Sequence, residues 1–384
     1  MDILCFSHLR WDFVYQRPQH LMVRFASTGR VFFIEEPHRQ GDDARIEIKE
    51  SSDNVFVITP YLSANASEEN AQQTISDFLN GLIAKFNVTN YVAWFYSPMF
   101  VHFLTRLPSP GGIVYDCMDE LSAFKNAPAG LQEQELRLFK LADLVFTGGN
   151  LLYETKKAYH ANIHSFPSSI DKEHFEKARS GGIEADDQAE IQGVKIGFFG
   201  VIDERMDLAL IDALAERSPH WNIILVGPVV KIDPATLPQR SNIFYMGSKK
   251  YEDLPAYLSG WDVALIPFAQ NESTKFISPT KTPEYLAGGK PVVSTPIHDV
   301  VHPYGDEKLV YIASTPDEFI AGIEWSLERW RNPRWLQQVD VFLSTLSWDD
   351  TWNRMSDEIE LVASQKVKTG TRDEIRTTGP RQLS

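Results

Sequence analysis

Cysteine is almost absent from this chain of 384 residues, which holds only Cys5 and Cys117. Two thiols exclude a disulfide framework and a thiolate zinc site, and they suit a reducing compartment. One stands in an apolar run and the other beside acidic residues, so both read as packing residues rather than nucleophiles. Long hydrophobic runs are missing too. No stretch approaches the roughly eighteen apolar residues that cross a bilayer, and Met1-Asp2-Ile3-Leu4-Cys5-Phe6 turns polar at once. A cytoplasmic chain is the expectation. Positive charge is in short supply: 37 Lys and Arg face 52 Asp and Glu, for a net charge of −15. That balance excludes a broad nucleic-acid surface and leaves room only for a local basic pocket. No Gly-x-Gly-x-x-Gly occurs, which removes the phosphate-binding fingerprint of a two-domain NAD-dependent oxidoreductase.

What is present is ordinary globular material, 43% hydrophobic and 23% charged, in a length suited to two domains. Short β-rich runs recur at Ile3–Phe6, Val31–Ile34, Val55–Ile58, Tyr91–Tyr96, Ile113–Tyr115 and Leu144–Phe146. Between them, Gln19–Ala26 and Ile75–Phe86 space apolar residues by three and four, as amphipathic helices do. The pattern is that of a doubly wound α/β sheet. It restarts with Lys195–Gly200, Asn222–Gly227, Ile243–Gly247, Val263–Phe268, Pro291–Thr295 and Val310–Ile312. The fold class expected is therefore α/β, with two Rossmann-like doubly wound domains facing a central cleft. The boundaries expected are a first domain at 1–178, a linker at 179–193, a second domain at 194–345, a helix at 346–363 and a mobile tail at 364–384.

The richest segment runs from Ser278 through Pro279-Thr280-Lys281-Thr282-Pro283-Glu284 to Gly288-Gly289 and on to Thr295. It reads as a loop, a helix, a glycine stop and a buried strand. Pro279 and Thr280 open the helix, whose free amides and positive dipole end favour an anion such as a diphosphate. Lys281 adds a full charge, and Glu284, three residues on, shares its helix face and can accept hydrogen bonds from ribose hydroxyls. This segment resembles the donor-site motif of GT-B glycosyltransferases. The run Lys195–Gly200 to Arg205 resembles the strand and loop that open their C-terminal domain, with Arg205 in the place of the basic residue near the diphosphate. Gly200 ends that strand, and the strand-end loops Leu225-Val226-Gly227-Pro228 and Tyr245-Met246-Gly247-Ser248 resemble those around the nucleotide base.

Two further segments carry the likeness into the first half. Ser7-His8 through Arg17-Pro18-Gln19-His20, with Tyr115-Asp116-Cys117-Met118-Asp119-Glu120, resembles bacterial family-1-like and family-4-like glycosyltransferases of surface polysaccharides, teichuronic-acid enzymes among them. The resemblance implies a nucleotide-sugar donor, a uridine one by expectation, a saccharide or lipid-linked acceptor, and no cofactor. It implies a cytoplasmic enzyme with room for peripheral contact with the inner membrane face. The catalytic candidates are Asp116, Asp119, Arg205 and Lys281. The substrate-binding candidates are His8, Arg17, Gly200, Gly227, Gly247, Ser248, Pro279, Thr280 and Glu284. Asp116, Asp119 and Glu120 follow a buried strand, where a carboxylate faces the cleft and can take a proton from an attacking hydroxyl. His8 and His20 are rival bases, His20 within an apolar helical pattern. No Asp-x-Asp triplet supports the metal site of the other main glycosyltransferase fold, and metal-independent transfer is expected. Family-4-like relatives carry a glutamate eight residues before the helix Glu, where this chain has Phe276, with Glu272 the nearest acid upstream. Retention of configuration is the expected outcome. A nucleotide-sugar epimerase of the same fold, or a non-catalytic nucleotide-sugar binder, fits the same segments.

Overall fold

The computed structural model describes residues 1–179, 183–329 and 332–377, with side chains to residue 364. Strands β1 (Asp2–Ser7), β2 (Val31–Glu35), β3 (His38–Arg39), β4 (Arg45–Ser52), β5 (Val55–Leu62), β6 (Tyr91–Phe95), β7 (Gly112–Cys117), β8 (Leu144–Thr147) and β9 (Ile163–Ser165) form one sheet. Their order is β3-β5-β2-β1-β6-β7-β8-β9, with β4 antiparallel on β5 and the rest parallel. A second sheet is built from β10 (Val194–Phe199), β11 (Trp221–Val226), β12 (Ile243–Gly247), β13 (Val263–Ile266), β14 (Val292–Ser294) and β15 (Val310–Ile312). Its order is β12-β11-β10-β13-β14-β15, all parallel.

The central strands are apolar throughout because helices cover both faces of a parallel sheet. Every residue of β2, β6 and β8 is buried. Successive side chains of β1 alternate between two cores: Leu4 and Phe6 enter one, Ile3 and Cys5 the other. Both cysteines are buried and unpaired. The second sheet carries its own core, from Ile196 and Phe198 to Trp335 and Leu343. Strand order reverses on either side of β1 and of β10, and such a switch point opens a crevice at the carboxyl ends of the strands. The loops after β1 and β10 emerge there and face each other.

Three differences from the expected organisation have physical causes. Strand β4 is solvated along most of its length and only Ile46 and Ile48 pack inward, so it lacks the apolar run that marks its neighbours. The 1–178 boundary assigns Ile170, Phe175 and Ala178 to the first domain, yet all three side chains lie in the second core. The expected linker is polar but not loose: Gln188 is fully buried, donating to the Tyr257 carbonyl and accepting from Trp261 Nε1, while Glu184 pairs with Lys195. Buried polar side chains with partners of this kind pack as firmly as apolar ones. The last helix begins at Trp348, capped by Ser347, and its Trp348, Met355 and Ile359 fill the core beneath Ile3 and Trp94 of the first sheet. It runs to Thr377; residues 378–384 of the expected tail lie outside the described residues. Among the described residues no helix is long and apolar enough to cross a membrane.

Candidate functional site

The wall of the cleft on the second domain is made by strand ends that turn through glycine. Gly200, Gly227 and Gly247 follow or end β10, β11 and β12 with φ of +139°, +145° and +70°. A Cβ on Gly227 would stand 1.9 Å from the Gly200 carbonyl oxygen, and one on Gly200 would stand 2.3 Å from Lys281 Cε. The closeness of these backbones leaves a slot into which the lysine side chain lies. Lys281 opens the helix Lys281–Ala287, whose N-cap is Thr280 and whose buried face runs from Thr282 to Ala287. Tyr285 pins that helix to the end of β10 by accepting a 2.9 Å hydrogen bond from the Phe199 amide. Gly288 and Gly289 then turn the chain toward β14.

These elements border a cleft of about 720 Å³ between the two domains. From the second domain it is lined by Gly200, Arg205, Gly227, Ser248, Lys281 and Glu284 among others. A smaller recess joins Asp119 and Arg17 of the first domain to Arg205, Pro279, Thr280 and Lys281 of the second. The Lys281 ammonium makes no hydrogen bond or ion pair among the described residues; it lies 5.6 and 5.8 Å from the rings of Phe198 and Phe268. Burial pushes its pKa down, against the pull of Glu284, and Arg205 pushes the same way as burial. Burial pushes the Glu284 carboxyl up, against Lys281 and a hydrogen bond from Thr280. A half-desolvated cation without a counter-ion at contact is a receptor waiting for an anion. Arg205 is tied by Nε and Nη2 to Asp203 at 2.8–3.1 Å, which leaves Nη1 with no described acceptor.

On the first domain the two aspartates take different parts. Asp116 is fully buried, and both its oxygens accept from Arg17, at 3.1 Å from Nε and 2.9 Å from Nη2. Arg17 also donates to the Phe166 carbonyl at 2.7 Å and is itself 3% exposed. The two residues expected as base and substrate contact are thereby committed to each other. Asp119, three residues further and beyond the end of β7, makes no side-chain hydrogen bond among the described residues. Burial pushes its pKa up to about 6, against the opposing charges of Arg205, Arg17 and Lys231. Glu120 turns away from the cleft into a buried network, with Lys156 bound to Glu120 at 2.7 Å and to Glu135 at 2.8 Å. His8 is pushed down to about 4 by burial and by Lys231, and its Nδ1 is buried without a partner among the described residues. It does not line the cleft. His20 stacks on Trp348 at 4.7 Å, a packing role in keeping with its apolar helix.

Phe276 lies against the first-domain core rather than in the cleft, and Glu272 pairs with Lys275 on the surface. Several cleft residues escaped the sequence reading: Trp11, Phe13 and Tyr15 on the loop after β1, and Lys249, Lys250 and Tyr251 after β12. The signal for the second group was available, since two lysines and a tyrosine directly follow the Gly247-Ser248 turn.

Residues 193–329 match the family model "Glycosyl transferases group 1". The Bacillus subtilis (strain 168) protein TuaH, named for a glycosyltransferase of teichuronic acid biosynthesis, is 27% identical over 221 residues, 53% of this chain and 54% of the relative. The chain thus matches about half the length of that curated relative. Among solved structures, one from E. coli described as trehalose-6-phosphate bound with UDP-2-fluoro glucose superposes with a TM-score of 0.67 at 11% identity, over 94% of this chain and 99% of that one. The sucrose-phosphate synthase of Thermosynechococcus elongatus gives 0.65 at 14%, over 98% and 100%. WaaG, a glycosyltransferase involved in lipopolysaccharide biosynthesis, gives 0.57 at 12%, over 93% and 99%. At such identities these structures speak for the fold, and the fold is GT-B. The chain therefore has the GT-B fold, and within it residues 193–329 match the glycosyl transferases group 1 model.

Proposed function

We propose that the protein transfers a sugar from a nucleoside diphosphate sugar, a uridine one by analogy with the ligand of its E. coli structural neighbour, to a hydroxyl of a saccharide or lipid-linked acceptor of surface polysaccharide. The observation that carries this reading is the ammonium of Lys281, without an ion-pair partner at contact among the described residues and held against Gly200 at the mouth of an interdomain cleft. Lys281 and the free Nη1 of Arg205 hold the diphosphate as it departs, and Glu284 on the same helix face accepts from the ribose hydroxyls. Fixed donors in a partly desolvated cleft stabilise developing charge without reorganising when it appears. Asp119, in its ionised form, accepts a hydrogen bond from the acceptor hydroxyl and orients it.

We infer retention of anomeric configuration. An inverting base must stand across the reacting carbon from the leaving group. Asp119 instead shares one recess with the two cations that face the leaving group, and Asp116 has both oxygens on Arg17. The departing phosphate is then the group nearest the incoming hydroxyl. A thermal-shift panel of nucleotide sugars identifies the donor, because a ligand bound only by the folded state raises the melting temperature by mass action. Proton NMR of the first product from a donor of known anomer then reads the stereochemistry. Absence of any nucleotide-dependent shift would sink the reading as a whole; an inverted product would sink retention alone.

A further inference from the structure

The two domains meet at a contact outside the cleft. The Asp299 carboxylate of the second domain is 4% exposed and accepts from the amides of Asn150, at 2.7 Å, and Leu151, at 3.2 Å, in the first. Those amides open the helix Asn150–Lys156. His298 Nδ1 lies 2.9 Å from the same carboxylate. Beside it, Ser168 of the first domain donates to the carbonyl of Ser278, the residue before Pro279. The glycine pair ahead of the helix fits this seam on both sides. A Cβ on Gly149 would stand 2.8 Å from Asp299 Oδ2 and 3.3 Å from Ser278 Cβ. A Cβ on Gly148 would stand 2.5 Å from the Met118 carbonyl oxygen, next to Asp119. At its other end the helix carries Lys156, whose ammonium grips Glu120, the residue after Asp119, while Ser122 donates to the other oxygen of Glu120 at 2.6 Å.

One short helix therefore touches the second domain at its start and the Asp119 loop at its end. We propose that Asp299 is a positioning residue: by docking on the Asn150 and Leu151 amides it sets the closed arrangement of the domains and, through Gly148 and Lys156, holds Asp119 opposite Arg205 and Lys281. This rests on the reading that Asp119 orients the acceptor. Asp299 itself lines neither the cleft nor the recess, so its effect is carried by geometry. A hydrogen-bonded carboxylate bridging two domains replaces contacts that water would otherwise make on both faces, and removing it takes the side-chain acceptor from two part-buried amides.

The test uses the full-length enzyme with fluorophores on Tyr159→Cys and Val341→Cys, exposed positions on opposite domains; the native thiols are buried and do not compete. Asp299→Ala is expected to convert one compact interdomain distance into a broader, longer distribution. Asp299→Asn keeps one acceptor oxygen and restores most of the compact population. Gly149→Ala reproduces the opening from the other side of the seam. In the same variants kcat for sugar transfer falls about tenfold, the scale of one lost charged hydrogen bond, while the affinity for UDP stays within about threefold. The pH dependence of kcat/KM between 5 and 7 also moves, because Asp119 loses its setting among Arg205, Arg17, Lys231 and Asp116. An unchanged distance distribution in Asp299→Ala overturns the docking role. An opened distribution with wild-type kcat and pH profile overturns the link to Asp119. Wild-type turnover in Asp119→Asn, beside opening in Asp299→Ala, places the failure in the reading of Asp119 and not in the docking.

Discussion

Replacing Lys281 by methionine separates what the fold needs from what the ligand needs. The ammonium has no contact acceptor among the described residues and sits over two aromatic rings at 5.6 and 5.8 Å. Burial and Arg205 hold its charge at a cost, which only Glu284 and the more distant Asp203 and Asp119 offset. Methionine keeps most of the chain's volume against Gly200 and removes that cost. The ligand-free protein should accordingly melt at the same temperature as wild type or slightly higher. Binding should move the other way. A hydrogen bond to a charged phosphate oxygen contributes about 1.5–3 kcal/mol, so UDP affinity should fall roughly 10- to 150-fold. Calorimetric titration with UDP and a melt of the free protein read the two quantities independently. An unchanged dissociation constant would remove Lys281 from the diphosphate site. A free-protein melting point lowered by many degrees would show instead that the lysine has a structural partner.

Further outcomes follow from the same geometry. With Asp119 orienting the acceptor as proposed, its ionised form is the useful one, and burial raises its pKa to about 6, so kcat/KM should rise as pH passes through 6 and the rise should vanish in Asp119→Asn. The sign for stability is opposite: a raised carboxyl pKa contributes stability below about 4 that is lost as pH rises through 6, so Asp119→Asn should raise the melting point at pH 7.5 and leave it unmoved at pH 3.5. Arg17→Met strands the buried Asp116 carboxylate and should destabilise by about 3–5 kcal/mol in urea titrations, with much of it recovered in the double variant with Asp116→Leu. Gly227→Ala drives a methyl into the Gly200 carbonyl at φ +145° and should cost about 3 kcal/mol or more, whereas Gly81→Ala, in a helix with open space around it, should be neutral or gain about 0.5–1 kcal/mol. Turnover should persist in excess chelator, because Lys281 and Arg205 supply the charge; a complete loss restored by a divalent ion would overturn that.

How far the sequence could be read depended on whether the deciding contacts were local. The parallel strands were legible because a strand buried on both faces is apolar at every position, as in β2 and β6, and the second-domain wall was legible because Pro279, Thr280, Lys281 and Glu284 lie within six residues of one another. Strand β4 and the packed linker were not, since their residues are polar and their partners, such as Tyr257 and Trp261 for Gln188, are distant in the chain. The two aspartates after Tyr115 make the same point for chemistry. Nothing next to Asp116 reveals that Arg17, 99 residues earlier, takes both its oxygens. One local signal does distinguish the pair. Asp116 falls inside β7, where a side chain is enclosed by the layers of the sheet and a carboxylate must bring its own counter-charge, whereas Asp119 falls two residues past the strand end, in the loop that borders the cleft. Counting the strand to Cys117 rather than stopping at Tyr115 would have assigned the first aspartate to the fold and the second to the cleft.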